Sequence, residues 1–254
     1  VSRSIVTRNR ALVAVGILLV ALPGCTTNAP GTTATSGLLF EHLAGLPHVV
    51  YVPRDYSPDK AWPCIVFLHG SGESGTDGQK QIAQGIGTNI LWNADRWPAI
   101  VLMPQKPARE VLWNKHADAI MAALAQVRSR YSIDPDRISL TGLSQGGHGV
   151  WTIAAAHPEV WSALVPICGF VDSNRATNDP AAIASRIKHI PVWAFHGDAD
   201  DVVPPQQTVK MIDALRAAGA EPRLTIYPGV NHGSWDRAYA EPELPEFLTR
   251  ARRR

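Results

Sequence analysis

Short unbroken apolar runs recur along the chain, and each stops at small or polar residues. Residues 63–68 read Pro-Cys-Ile-Val-Phe-Leu and stop at His69-Gly70-Ser71-Gly72; residues 99–103 stop at Pro104-Gln105. Such runs are the pattern of strands buried on both faces, and residues 138–141, 163–168, 192–195 and 223–227 also read as strands. Residues 48–53 read as an early strand paired with 38–42. Between these runs the period changes to that of a helix. Ile120, Leu124, Val127 and Tyr131 share a face within 114–131, and Val150, Trp151, Ile153 and Ala154 give an apolar side to 147–156. Val209, Ile212 and Leu215 do the same within 205–218, where Gly219 reads as a C-cap. Shorter helices are predicted near 181–187 and at 244–248, a turn at 132–136 and a polar loop at 171–178. Strands alternating with helices predict an α/β fold, a mostly parallel sheet with helices on both faces. No long insertion follows 163–168, so no large lid domain is expected, and there is no internal repeat.

Composition agrees and narrows the function. A chain of 254 residues, 45% hydrophobic, suits one large α/β domain. A net charge of +2 makes no electrostatic case for nucleic acid. The three cysteines, Cys25, Cys64 and Cys168, form no Cys/His cluster of metal-ligand spacing, so no metal and no cofactor is expected.

The N-terminus reads as a targeting segment. Arg3, Arg8 and Arg10 precede an apolar run, 11–22, that is shorter than the ~20 residues a spanning helix needs. It ends Leu22-Pro23-Gly24-Cys25, which resembles the bacterial lipoprotein box, with Pro23 a departure from it. The expected organisation is a signal peptide over 1–24, a lipidated Cys25 with a flexible Thr/Ala/Gly/Pro tether to 37, and a catalytic domain over 38–254. The protein is then exported across the inner membrane and held at the cell envelope by lipid alone. The oligomeric state is left open.

The candidate chemistry centres on residues 137–151. Gly142-Leu143-Ser144-Gln145-Gly146 fits G-x-S-x-G between a strand-like and a helix-like run, the context of a nucleophile elbow. A serine nucleophile needs a base, and the base needs an orienting acid. His232 is the only histidine after Asp201 and follows the last strand on a glycine-containing loop. Asp198, Asp200 and Asp201 all follow the 192–195 strand; the spacing H-G-x-x-D-x-x-V selects Asp200, leaving Asp198 and Asp201 to cap the turn or face solvent. Oxyanion donors are expected from the N–H groups of Gln145 and Ser71. His69 reads as fixing its loop, and His148 and His157 as packing or surface residues. Trp113, Gln105 and Trp235 lie near strand ends, where they would contact substrate or pack in the core.

Residues 68–73, 104–105, 134–147, 166–169, 191–204 and 227–248 together resemble the predicted-peptidase and phospholipase/carboxylesterase branch of the α/β-hydrolases. Its relatives include dienelactone hydrolase, acyl-protein thioesterase and the feruloyl and acetylxylan esterases. The resemblance implies Ser144 as nucleophile, Asp200 as acid and His232 as base of a serine carboxylesterase acting on small-molecule or saccharide esters. Gln145 stands where this branch often carries Met. Two other readings stay open on the residues alone: a serine peptidase of the prolyl-oligopeptidase type on short peptides, and a non-catalytic surface lipoprotein on a hydrolase scaffold.

Overall fold

Eight strands build one sheet in the order β1 (Gly37–Leu43), β2 (Leu46–Val52), β4 (Ile100–Pro104), β3 (Trp62–Leu68), β5 (Ile133–Leu143), β6 (Ala163–Ile167), β7 (Trp193–Gly197), β8 (Arg223–Tyr227). The structure, a computed structural model, describes residues 36–43, 45–171 and 179–253. The polar loop expected at 171–178 therefore lies outside the described residues, apart from Val171, which is buried. Ala34–Arg254 forms one compact unit; the preceding unit, and with it the signal segment, Cys25 and most of the tether, lies outside the described residues. Among the described residues no helix is long and apolar enough to cross a membrane.

β1 pairs with β2 and β2 with β4 in antiparallel fashion, and the remaining pairings are parallel. The parallel strands consequently end along one edge, and the loops leaving them converge there. Each strand feeds both faces of the sheet. Cys64, Val66 and Leu68 of β3 pack with α2 (Ala117–Arg130), α3 (Gln145–Ala156), α4 (Pro180–Ile187) and α5 (Gln206–Ala217). Ile65 and Phe67 pack on the other side with α1 (Ile86–Trp92), α6 (Trp235–Ala240) and α7 (Leu244–Arg250). This is the α/β-hydrolase layering, a mostly parallel sheet between two helical layers, with no large lid among the described residues.

Three expectations change. The turn predicted at 132–136 is absorbed into β5 as a bulge: pairing jumps from Trp62↔Ile133 to Cys64↔Ile138. Turn chemistry survives inside it, since the Asp134 carboxylate accepts from the Asp136 N–H at 3.0 Å and from Arg137 Nε at 2.7 Å. Val209 stands 36% exposed, and α5 buries Thr208, Met211, Ile212 and Leu215 instead, because the helix turns a polar hydroxyl inward. Helices α1 and α6, of 7 and 6 residues, add to the predicted elements; neither opens on a proline or a side-chain cap. Cys64 and Cys168 are free and buried, on β3 and just past β6, the two strands that flank β5. Burial pushes the Cys64 thiol up to about 12.

Candidate active site

Ser144 sits between β5 and α3 with φ 55° and ψ −117°, in the left-handed half of backbone space that a side chain rarely enters. The strained turn is held on both sides. Ser144 N–H donates to the Ile167 carbonyl at 2.9 Å, and its own carbonyl accepts from His148 N–H at 3.0 Å. A Cβ on Gly146 would lie 1.9 Å from the Leu68 carbonyl oxygen, so only glycine lets the start of α3 press this closely against β3. The result raises the hydroxyl at the sheet edge beside the N-terminus of α3.

The loops after β7 and β8 bring two more side chains to that hydroxyl. His232 Nδ1 lies 2.7 Å from Asp200 Oδ2, and Nε2 lies 2.9 Å from Ser144 Oγ. A carboxylate can only accept, so Nδ1 carries the proton and the neutral ring leaves Nε2 free to accept from the serine hydroxyl. Asp200 Oδ1 accepts the N–H groups of Val202 and Val203, both at 2.9 Å. Burial alone would raise the Asp200 pKa; the hydrogen bonds from His232 and from these two backbone groups outweigh it and hold the carboxyl below its ordinary value. The chain Ser144–His232–Asp200 is thus a hydroxyl, a base able to take its proton, and an ionised acid that keeps the base in the required tautomer. Asp198, by contrast, accepts Gly229 N–H at 2.7 Å and closes the turn after β8, and Asp201 is exposed.

The loop after β3 lies beside the serine. A Cβ placed on Gly70 would be 3.6 Å from Ser144 Cβ. His69, fully buried, is clamped: Nδ1–H donates to the Gly70 carbonyl at 2.6 Å and Nε2 accepts from Lys106 N–H at 3.1 Å. Burial lowers its pKa to about 3, so the ring is a neutral brace. Ser71 follows on this loop and Gln145 opens α3; both are half-buried. Trp235 presents its ring edge-on to His232, with centroids 5.5 Å apart, and donates from Nε1 to Gln84 Oε1 at 3.0 Å.

Two candidate substrate contacts are corrected. Trp113 is fully buried and donates from Nε1 to the His69 carbonyl at 2.9 Å, so it supports the loop from behind. Gln105 is also fully buried, and its amide is used up on the same loop, donating to the Glu73 carbonyl at 3.0 Å and accepting Gly78 N–H at 2.7 Å. Sequence reasoning passed over Lys106. It is buried, and its ammonium donates to Ser74 Oγ and the Ala108 carbonyl, both at 2.8 Å, completing the clamp. It also assigned no role to His196, which touches Asp200 Oδ2 at 3.0 Å. The signal for His196 was the motif H-G-x-x-D itself. Cys168, Asp200 and His232 place potential metal-ligating atoms within 4.8 Å of one another. In the structure the last two are joined as an acid–base pair, and burial pushes the Cys168 thiol pKa up, which opposes the thiolate a metal would need.

Both the sequence and the fold have relatives among known proteins. A carboxymethylenebutenolidase-type protein of Escherichia coli O157:H7 is 31% identical over 112 residues, 43% of this chain and 41% of that one. The chain thus spans about two fifths of the length of the curated relatives it matches. A crystal structure of a thermostable esterase superposes with a TM-score of 0.72 at 31% identity, covering 85% of this chain and 63% of the other. The feruloyl esterase module from Clostridium thermocellum shares the fold at 19% identity, with a TM-score of 0.66 over 87% of this chain and 92% of its own. The family model that matches, over residues 95–243, is that of the dienelactone hydrolase family. It covers more than half of the sequence and takes in the elbow, the acid loop and the base loop together, and so the chain belongs to the dienelactone hydrolase family.

Proposed function

We propose that the protein is a serine carboxylesterase. The observation that carries the reading is the unbroken hydrogen-bonded line from Ser144 Oγ through His232 to Asp200, at 2.9 and 2.7 Å, ending on a hydroxyl raised by a strained elbow. His232 Nε2 takes the hydroxyl proton as Oγ attacks the ester carbonyl, and Asp200 stabilises the imidazolium that forms. The N–H groups of Gln145 and Ser71 are the donors we assign to the developing oxyanion, one at a helix N-terminus and one on the clamped loop. His232 returns the proton to the leaving alcohol, leaving an acyl-enzyme on Ser144. A water activated by the same Nε2 then releases the acid. The substrate we propose is a small-molecule or saccharide ester, with Trp235 as the apolar wall beside His232. The membrane is reached only through lipid on Cys25.

The test is a panel of p-nitrophenyl, acetyl and feruloyl esters with the wild type and Ser144→Ala, alongside labelling by a fluorophosphonate probe. The wild type should label and turn over at least one ester, and Ser144→Ala should lose labelling and ~10³-fold or more of kcat. Undiminished turnover by a folded Ser144→Ala protein would refute the assignment. Cleavage of short peptides with no ester turnover would move the substrate class to amides.

A further inference from the structure

We infer that His196 is a positioning residue for the acid–base pair, its Nε2–H, fixed in place by Thr208, holding Asp200 Oδ2 on His232. The inference rests on the serine-hydrolase reading and asks what keeps the acid aligned. His196 is the penultimate residue of β7 and is fully buried. Its Nε2 faces two oxygens, Asp200 Oδ2 at 3.0 Å and the Val203 carbonyl at 2.9 Å. Both are acceptors, so Nε2 must carry a proton. Nδ1 lies 2.7 Å from Thr208 Oγ1, a contact shorter than the 3.2 Å from that hydroxyl to the Gly169 carbonyl. With the ring neutral, the threonine hydroxyl donates to Nδ1, and that bond selects the Nε2–H tautomer. Burial lowers the His196 pKa and favours the neutral ring, against the raising effects of the Val203 carbonyl and Asp200.

Asp200 then has four donors. Two backbone N–H groups hold Oδ1 and two histidines share Oδ2, one of them the base. Without His196 the carboxylate keeps its charge but loses the donor that opposes rotation of Oδ2 away from His232. The same ring reaches toward the elbow. Thr208 lies against Gly169, whose Cα is 2.7 Å from where a Gly147 Cβ would stand, in the first turn of α3. His196 therefore ties the acid loop to α5 and to the packing that seats the nucleophile. The titratable groups facing the pair are Asp200 and His232 themselves, His196 from β7 and the Cys168 thiol past the end of β6.

The test compares His196→Gln, whose amide nitrogen can replace Nε2–H, with His196→Asn, whose shorter amide reaches only toward Thr208. His196→Asn should lose about 10- to 100-fold in kcat with KM little changed, the scale of one charge-assisted hydrogen bond. His196→Gln should recover most of that loss. In His196→Asn the acid limb of the pH–kcat/KM profile should move downward, because Asp200 Oδ2, free to turn away from His232, supports the protonated ring less. Histidine ¹⁵N NMR of the wild type should show His196 protonated at Nε2 and bare at Nδ1 near neutral pH. Wild-type kcat and pH profile in a folded His196→Asn protein would overturn the proposal, as would equal losses in both variants or the Nδ1–H tautomer. Should the Asn variant fail to fold, Thr208→Val against Thr208→Ser asks the same question, with a several-fold kcat loss expected only for Val and equal rates overturning the proposal. A wild type that turns over no ester would fail the hydrolase reading separately, and the tautomer, with the His232 Nδ1–H resonance in the variants, would still decide this one.

Discussion

Gly197→Ala should disable the protein without touching a reacting group. Gly197 ends β7 directly beneath the loop that carries His232. A Cβ there would stand 2.1 Å from the Val230 carbonyl oxygen and 2.6 Å from that of Asn231. Both obstacles are backbone, so no rotamer change relieves them. Ordinary contact starts near 3.4 Å, and the loop has to retreat by about 1.3 Å. The Val230 carbonyl also accepts Ala199 N–H at 3.0 Å, so its retreat pulls on the acid loop as well. His232 follows two residues later, and its two bonds, 2.7 and 2.9 Å, have less than 1 Å to spare before they cease to be hydrogen bonds. Misplacement by about 1 Å costs ~10²-fold in rate, or ~2.7 kcal/mol of barrier. Overpacking should cost ~1–3 kcal/mol of stability, which lowers Tm by several degrees and leaves the domain folded. The assay is kcat/KM on a p-nitrophenyl ester with fluorophosphonate labelling rates and a thermal melt. Gly233→Ala is the control, since its Cβ would meet only Asn231 Oδ1, at 3.4 Å. A folded Gly197→Ala protein within threefold of wild-type kcat/KM would refute the reasoning, as would equal damage from Gly233→Ala.

Three further outcomes are expected. Gln105→Leu strands the Gly78 N–H and frees the Glu73 carbonyl, so it should cost ~1–3 kcal/mol in urea unfolding and lower kcat, while a change confined to KM would return Gln105 to the substrate. Stability should fall as pH drops from about 6.5 towards 3, by ~1.4 kcal/mol per unit for His69, because the unfolded chain takes up a proton there and the folded ring stays neutral until about pH 3; urea midpoints in His69→Gln should lose that part of the slope. Cys25→Ser in the full-length chain should release the protein from the membrane fraction after a salt wash, and retention of a normally processed Cys25→Ser protein would count against lipid as the attachment.

The strands were legible because a sheet covered on both faces must be apolar on both, which writes an unbroken run into the sequence at β3, β4 and β6. Helices long enough to repeat their period, α2 and α5, were legible for the same reason. Helices α1 and α6 were not: 7 and 6 residues show too little of a period, and unlike the similarly short α4 and α7 neither carries a proline in its first turn to mark a start. The 132–136 error has a physical source as well. Asp134 and Pro135 are turn residues and do make a turn-like hydrogen bond, but tertiary pairing with β3 carries the strand through them.

The candidate site divides along the same line. Ser144, Asp200 and His232 could be placed from the chain because parallel strands end on one edge, so residues just past strand ends meet whatever their separation in sequence. That rule gives position along the sheet and says nothing about the side to which a side chain turns. Gln105 and Trp113 also come after strand β4, yet both turn inward to the 69–78 loop. His196 was hidden differently. Its role depends on which of two nitrogens carries a proton, and that is decided by Thr208, a hydroxyl on the inward face of a helix whose apolar period alone would have placed Val209 there. A buried polar residue in a helical stripe should therefore be read as the partner of another buried polar group. Here that reading leads from Thr208 to His196, and from there to the acid that orients the base.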